Sequence, residues 1–175
     1  QRELLERALA VLEREFGPEH RRVAGTLMHL GIAYGELGDL LKKRDLIERA
    51  SAIEEREFGP EHISVASTLT NLGCAYGELG DALKQRDLLE RALKIKEKQY
   101  GLHHRLLATT LSNLGSAHGD LGDTTRRLSI LERALTIKER EYGRDHREVA
   151  ATLANFGCAC GEIGDIARKQ DCLQR

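Results

Sequence analysis

One phrase of thirteen residues is written four times in this chain. "LTNLGCAYGELGD" runs from Leu69 to Asp81, and "LSNLGSAHGDLGD" starts at Leu111. Looser copies start at Leu27 ("LMHLGIAYGELGD") and Leu153 ("LANFGCACGEIGD"). Gly31, Gly73, Gly115 and Gly157 are spaced 42 residues apart, as are Gly38, Gly80, Gly122 and Gly164. The same step links His20, His62, His104 and His146, and Ala8, Ala50, Ala92 and Ala134. A fixed step of this size marks an array of equivalent supersecondary units, each burying its apolar face against its neighbours. That constraint outranks any local reading of the fold.

Each unit reads as two helices. In the stretch from about Ser64 to Leu79, Val65, Leu69, Leu72, Ala75, Tyr76 and Leu79 fall at three- and four-residue spacings, an amphipathic helical pattern. Gly80 suits the left-handed position just past a helix end, and Asp81 suits the N-cap of the next helix. That second helix is expected to reach Tyr100, with Leu88, Leu89, Ala92, Leu93 and Ile95 as its apolar stripe. Gly101 ends it, while the equivalent Gly17 and Gly59 are each followed by Pro, which blocks continuation. The periodic histidines are expected to cap the first helices. No alternating β pattern occurs. The spacing predicts an all-α chain, a single array over 1–175 with no linker. Residues 1–16 form the second helix of a cut repeat, 22–58, 64–100 and 106–142 are full pairs, and 148–175 is a final, truncated pair.

The column pattern resembles the tetratricopeptide repeat. Leu69, Leu72, Gly73 and Tyr76 stand where that family places a large–large–small–aromatic set on its first helix. Leu89 and Ala92 stand at its large and small positions on the second. The 42-residue length, against about 34 in the common form, resembles the kinesin-light-chain type, as does the connection "FGPEHISVASTLTNLG" (Phe58–Gly73). The resemblance implies a right-handed α-solenoid of stacked antiparallel helix pairs. Two departures stand out. The proline that follows the His of the connection is replaced by Arg21, Ile63, Arg105 and Arg147. A small residue midway along the second helix is replaced by Lys43, Gln85, Arg127 and Lys169. Either their stems snorkel past the first helix while their heads reach water or a carboxylate, or the pair packs at a wider or bent angle. The mid-helix glycines Gly35, Gly77, Gly119 and Gly161 raise a linked question, because each costs roughly 1 kcal/mol against Ala. Close helix packing and an open groove floor both account for them.

In arrays of this family the first helices line a concave face on which extended peptides lie. Carried over position by position, that face would present one row of His29, Asn71, Asn113 and Asn155. Beside it run the rows Met28, Thr70, Ser112, Ala154 and Ile32, Cys74, Ser116, Cys158, and then the acidic row Glu36, Glu78, Asp120, Glu162. An Asn amide both donates and accepts, so a ladder of them can pair with a peptide backbone without reading its sequence. Bonding to a neighbouring helix or to water is the alternative. The basic residues that clamp C-terminal carboxylates in chaperone-binding relatives are missing, so the groove is expected to prefer neutral or basic peptide. A solvated acidic row, or one paired with Lys43, Gln85 and Arg127, is the alternative.

The net charge of −1 and the absence of Trp argue against a nucleic-acid partner, and no apolar run is long enough to span a membrane. Cys74, Cys158, Cys160 and Cys172 lack the spacing of a zinc site or disulfide framework and read as reduced thiols. The histidines sit one unit apart, too far for shared metal ligation. No nucleophile–base grouping or phosphate loop occurs. The expected protein is therefore a non-enzymatic, cofactor-free scaffold for a protein or peptide partner, working in the cytoplasm. The alternatives are a self-assembling module, a homo-oligomer through terminal helices such as the apolar stripe of Leu4, Leu5, Ala8 and Leu12, and the sensor or autoinhibitory arm of a larger protein.

Overall fold

The computed structural model describes residues 2–174. Among them are nine α-helices, α1 (Arg2–Phe16), α2 (Arg21–Glu36), α3 (Leu40–Phe58), α4 (Ile63–Glu78), α5 (Ala82–Tyr100), α6 (Ala108–Asp120), α7 (Thr124–Tyr142), α8 (Arg147–Glu162) and α9 (Ile166–Gln174). A 3-10 turn at Arg105–Leu107 leads into α6, a common way for a helix to begin. The described residues contain no strand. The chain divides into two compact units, Gln1–Ile95 and Lys96–Arg175. The first holds α1 to α4 and most of α5; the second holds the last turn of α5, the 3-10 turn and α6 to α9.

The helix ends carry their own signals. His20, His62, His104 and His146 are all extended and each accepts, through Nδ1, the backbone N–H two residues on, at 3.2–3.3 Å. Each imidazole also stacks on the aromatic ring four residues earlier. The pairs are Phe16–His20, Phe58–His62, Tyr100–His104 and Tyr142–His146, with centroids 4.6–5.1 Å apart. The ring thus ties the end of one second helix to the start of the next first helix. Inside each hairpin, Asp39, Asp81, Asp123 and Asp165 accept the N–H three residues on. The glycine just before each Asp has a φ of +75° to +83°, a backbone state that other L-residues avoid. The N–H of Asp39 returns to the Tyr34 carbonyl and that of Asp81 to the Tyr76 carbonyl, satisfying helix-end acceptors as a Schellman turn does.

The two helices of a hairpin meet at a knob and a glycine. A Cβ placed on Gly31 would lie 2.8 Å from Ile47 Cγ1 and 3.1 Å from the Lys43 carbonyl oxygen. On Gly73 it would lie 2.9 Å from Leu89 Cγ, and on Gly115 2.7 Å from Leu131 Cδ2. Ile47, Leu89 and Leu131 are fully buried. Around these contacts lie the apolar clusters Val23–Ala24–Leu27–Ala50–Ile53 and Val65–Ala66–Leu69–Ala92–Ile95 in the first unit. Leu131–Phe156–Cys160 lies in the second.

Successive repeats are tied by a recurring arginine. Arg49 reaches the Glu13 carboxylate at 2.6 Å and the Pro18 carbonyl at 2.8 Å. Arg91 does the same with Glu55 (2.7 Å) and Pro60 (3.1 Å), and in the second unit Arg133 with Glu97 (2.6 Å) and the Leu102 carbonyl (2.6 Å). Each arginine therefore joins its own second helix to the preceding second helix and to the connection that follows it. A second tie runs from Tyr34 Oη to Glu6 at 2.5 Å and from Tyr76 Oη to Glu48. The bond to Glu48, with burial behind it, holds the Tyr76 phenol above its ordinary pKa.

Replacing His62 by Ala removes a cap and a ring contact together, and is expected to cost about 1–2 kcal/mol in urea denaturation. Gly73→Ala gains helix propensity but pushes on a fully buried leucine. It is expected to destabilise by about 1–3 kcal/mol, whereas Gly77→Ala, which meets the far end of the flexible but buried Gln85 side chain, is expected to cost less.

Candidate functional site

The first helices α2, α4, α6 and α8 position every residue of the expected peptide-binding rows. In the first unit, His29, Ile32 and Glu36 are exposed on α2. Asn71 on α4 is half-buried, and its Nδ2 lies 3.6 Å from Met28 Sδ. Thr70 is buried and its hydroxyl donates to the Ala66 carbonyl at 2.8 Å, so it offers little to a ligand in this arrangement. Cys74 is half-buried. In the second unit, Asn155, Cys158, Asp120 and Glu162 are exposed, while Ser112, Asn113 and Ser116 are half-buried. The Ser116 hydroxyl donates to the Ser112 carbonyl at 3.4 Å. Two neighbouring asparagine-row positions on α2 and α4, and two on α6 and α8, thus reach or approach the surface within their own units.

The acidic row divides into two kinds. Lys43 Nζ lies 2.7 Å from both carboxylate oxygens of Glu78. Arg127 Nη1 lies 2.6 Å from Glu162, whose other oxygen accepts from Thr124 at 3.1 Å. Glu36 and Asp120, by contrast, are exposed and make no ion pair among the described residues. The cations come from the unexpected long residues of the second helices, and their stems explain the mid-helix glycines. A Cβ on Gly35 would lie 2.6 Å from Lys43 Cδ, and one on Gly77 2.5 Å from Gln85 Nε2. On Gly119 it would lie 3.1 Å from Arg127 Cδ, and on Gly161 3.2 Å from Lys169 Cδ. Each glycine is roofed by the long side chain of its own hairpin, so it is not an open groove floor. Snorkelling past the glycine is what the structure adopts. Gln85, the one neutral member of this column, is buried, and its Oε1 has no hydrogen-bond partner among the described residues.

The sequence left pairing of the acidic row with Lys43 and Arg127 open as an alternative, and did not single out the arginine clamps. The signal was there in pairs of columns: Lys43 and Arg127 each stand 35 residues before a carboxylate they reach. The clamping arginines likewise stand 36 residues after theirs.

Among the described residues no group of three or more His, Cys, Asp or Glu could hold a metal, and no helix is long and apolar enough to cross a membrane. All four cysteines are free thiols. Burial pushes the Cys160 and Cys172 thiols above their ordinary pKa, which disfavours the reactive thiolate.

The tetratricopeptide repeat family model matches residues 44–98 and 106–174, and a second model of that description matches residues 23–64. A search of the curated proteins finds no significant match. Among solved structures, the nearly identical TPR-like repeats of a Podosopora anserina protein assigned as a kinesin light chain are similar with a TM-score of 0.83 at 23% identity. The match covers 99% of this chain and 82% of that one. BtubC (BKLC) from P. vanneervenii matches with a TM-score of 0.88 at 23% identity, over 99% of this chain and 69% of that one. Aspartyl phosphate phosphatase F from Bacillus subtilis matches more distantly, with a TM-score of 0.74 at 12% identity over 87% and 39%. These likenesses show the all-α solenoid fold.

Lys43→Met keeps the aliphatic roof over Gly35 and removes the ammonium from an exposed carboxylate. It is expected to change stability by less than about 1 kcal/mol in urea denaturation.

Proposed function

Because the chain belongs to the tetratricopeptide repeat family, with repeats of the kinesin-light-chain type, we propose that its first-helix face binds an extended, neutral-to-basic peptide segment. Repeats of this family mediate protein–protein interaction, and that is the coarse function of this chain. The finer reading rests on one observation: the acidic row is only half neutralised from within. Lys43 and Arg127 are committed to Glu78 and Glu162, which leaves Glu36 in the first unit and Asp120 in the second exposed and with no ion pair among the described residues.

The two kinds of row do different work. His29 with Asn71, and Asn113 with Asn155, supply amide and imidazole groups that suit a peptide backbone of any sequence. The open carboxylates bias the choice of side chain, favouring Lys or Arg and repelling acidic segments. The Glu78 and Glu162 carboxylates are 44% and 47% exposed, whereas Lys43 and Arg127 are largely buried at 13% and 15%, so these two pairs stay closed and the open carboxylates carry the selection. No enzymatic step is implied, since the site offers donors, acceptors and fixed charge but no activated nucleophile.

A peptide library screened against the chain is expected to return basic, extended sequences. Asn155→Ala is expected to weaken the best of them about fivefold, for one lost neutral hydrogen bond. Asp120→Lys is expected to weaken basic hits by about tenfold and to reduce their salt dependence. Hits that bind both variants as well as the parent, by fluorescence anisotropy, would remove the face from consideration.

A further inference from the structure

We propose that Ser129, on the exposed face of α7, is a phosphorylation site for a serine/threonine kinase that reads arginine just before its target. Steps of 42 residues link Glu3, Asp45, Asp87, Ser129 and Asp171, one on each second helix. All five are exposed, and Ser129 alone is not acidic. In the first unit the acid is held by the arginine before it. Arg44 Nε and Nη2 lie 2.9 and 2.6 Å from Asp45 Oδ1, and Arg86 repeats both distances on Asp87. On α7, Leu128 and Ser129 stand in place of that pair. The cations of α7 come earlier instead. Arg126 and Arg127 precede Ser129 by three and two residues, and no other Ser or Thr of the chain has arginine at both places. Two guanidiniums at a fixed offset from a hydroxyl suit a cleft lined with carboxylates, since each can form a bidentate charged pair.

The Ser129 hydroxyl donates to the Arg126 carbonyl at 3.0 Å, a bond inside its own helix that is readily given up. The kinase transfers the γ-phosphoryl of ATP to Ser129 Oγ. The bond from phosphorus to the departing ADP breaks as the bond to Oγ forms, and the hydroxyl proton passes to the kinase's catalytic base. The phosphoserine carries about −1.5 to −2 charges at neutral pH, so α7 gains the acid that the other second helices already have. Arg126 lies one turn earlier on the same face, exposed and 3.4 Å from Asp123, and can turn from that carboxylate to the phosphate. A kinase cleft takes its substrate extended, so the first two turns of α7 open for the reaction. Their composition suits this. Thr124 and Thr125 are poor helix formers, and Thr125, Arg126 and Ser129 are exposed. Opening releases Leu128 from the Leu131–Phe156–Cys160 cluster and Arg127 from Glu162, and both contacts re-form when the helix closes.

Incubation of the whole chain with ATP and a purified arginine-directed kinase (the cyclic-AMP-dependent enzyme) is expected to add one phosphoryl group per chain, placed on Ser129 by fragment-ion mass spectrometry. Ser129→Ala, at an exposed position, is expected to abolish uptake. Arg126→Ala is expected to slow the reaction about tenfold, as for loss of a charged hydrogen bond. The same loss is expected when that change is made in a synthetic peptide of residues 121–134, where no fold is at stake. The phosphorylated chain is expected to keep the helical circular dichroism and thermal midpoint of the parent, since the column holds an exposed acid at Asp45 and Asp87. A folded chain that stays unmodified, whether or not the peptide reacts, would overturn the inference. So would uptake that persists in Ser129→Ala, Arg126→Ala reacting at the parent rate, or loss of helix on phosphorylation.

Discussion

The contact on which the hairpins α2–α3, α4–α5 and α6–α7 depend is a branched aliphatic side chain seated against a glycine. Ile47 on Gly31, Leu89 on Gly73 and Leu131 on Gly115 bring two helix backbones close enough that no Cβ fits between them. Close approach lets the flanking valines, alanines and leucines meet as one dry cluster instead of two half-wetted stripes. Dispersion and hydrophobic burial then act over the whole length of the pair. The helix propensity lost at each glycine is small beside that.

A second layer of glycines does something different. Gly35, Gly77, Gly119 and Gly161 leave room for a long side chain to cross the first helix rather than for a second backbone. Where that side chain is cationic and has a carboxylate within reach, as with Lys43 and Arg127, it crosses to the first helix of the following repeat. Packing inside one hairpin is thereby coupled to charge on the next, and to the face proposed for binding. The arginine clamps at Arg49, Arg91 and Arg133 make a comparable link between second helices. Each of these pairs is partly exposed, so its contribution to stability is modest and its larger effect is on register.

Much of the architecture was legible in the residues alone. The 42-residue step, the glycine–aspartate turns and the histidine caps all appear where the spacing put them, because each is a local signal acting within a few residues. The binding rows were legible only as positions. Whether Thr70 faces a groove or folds its hydroxyl onto Ala66, and whether Glu78 is open or paired, depends on neighbours 4 residues away in one case and 35 in the other.

The sequence by itself determined the repeat, its helix pairs and the column to which every side chain belongs, since periodicity and capping are properties of short stretches of chain. Tertiary structure alone decided which columns meet. The sequence links a lysine at a position that usually wants a small residue with a glycine in mid-helix only as one of two alternatives, and packing lays one across the other. That pairing is set by the distance and angle between two helices, which no single stretch of chain encodes.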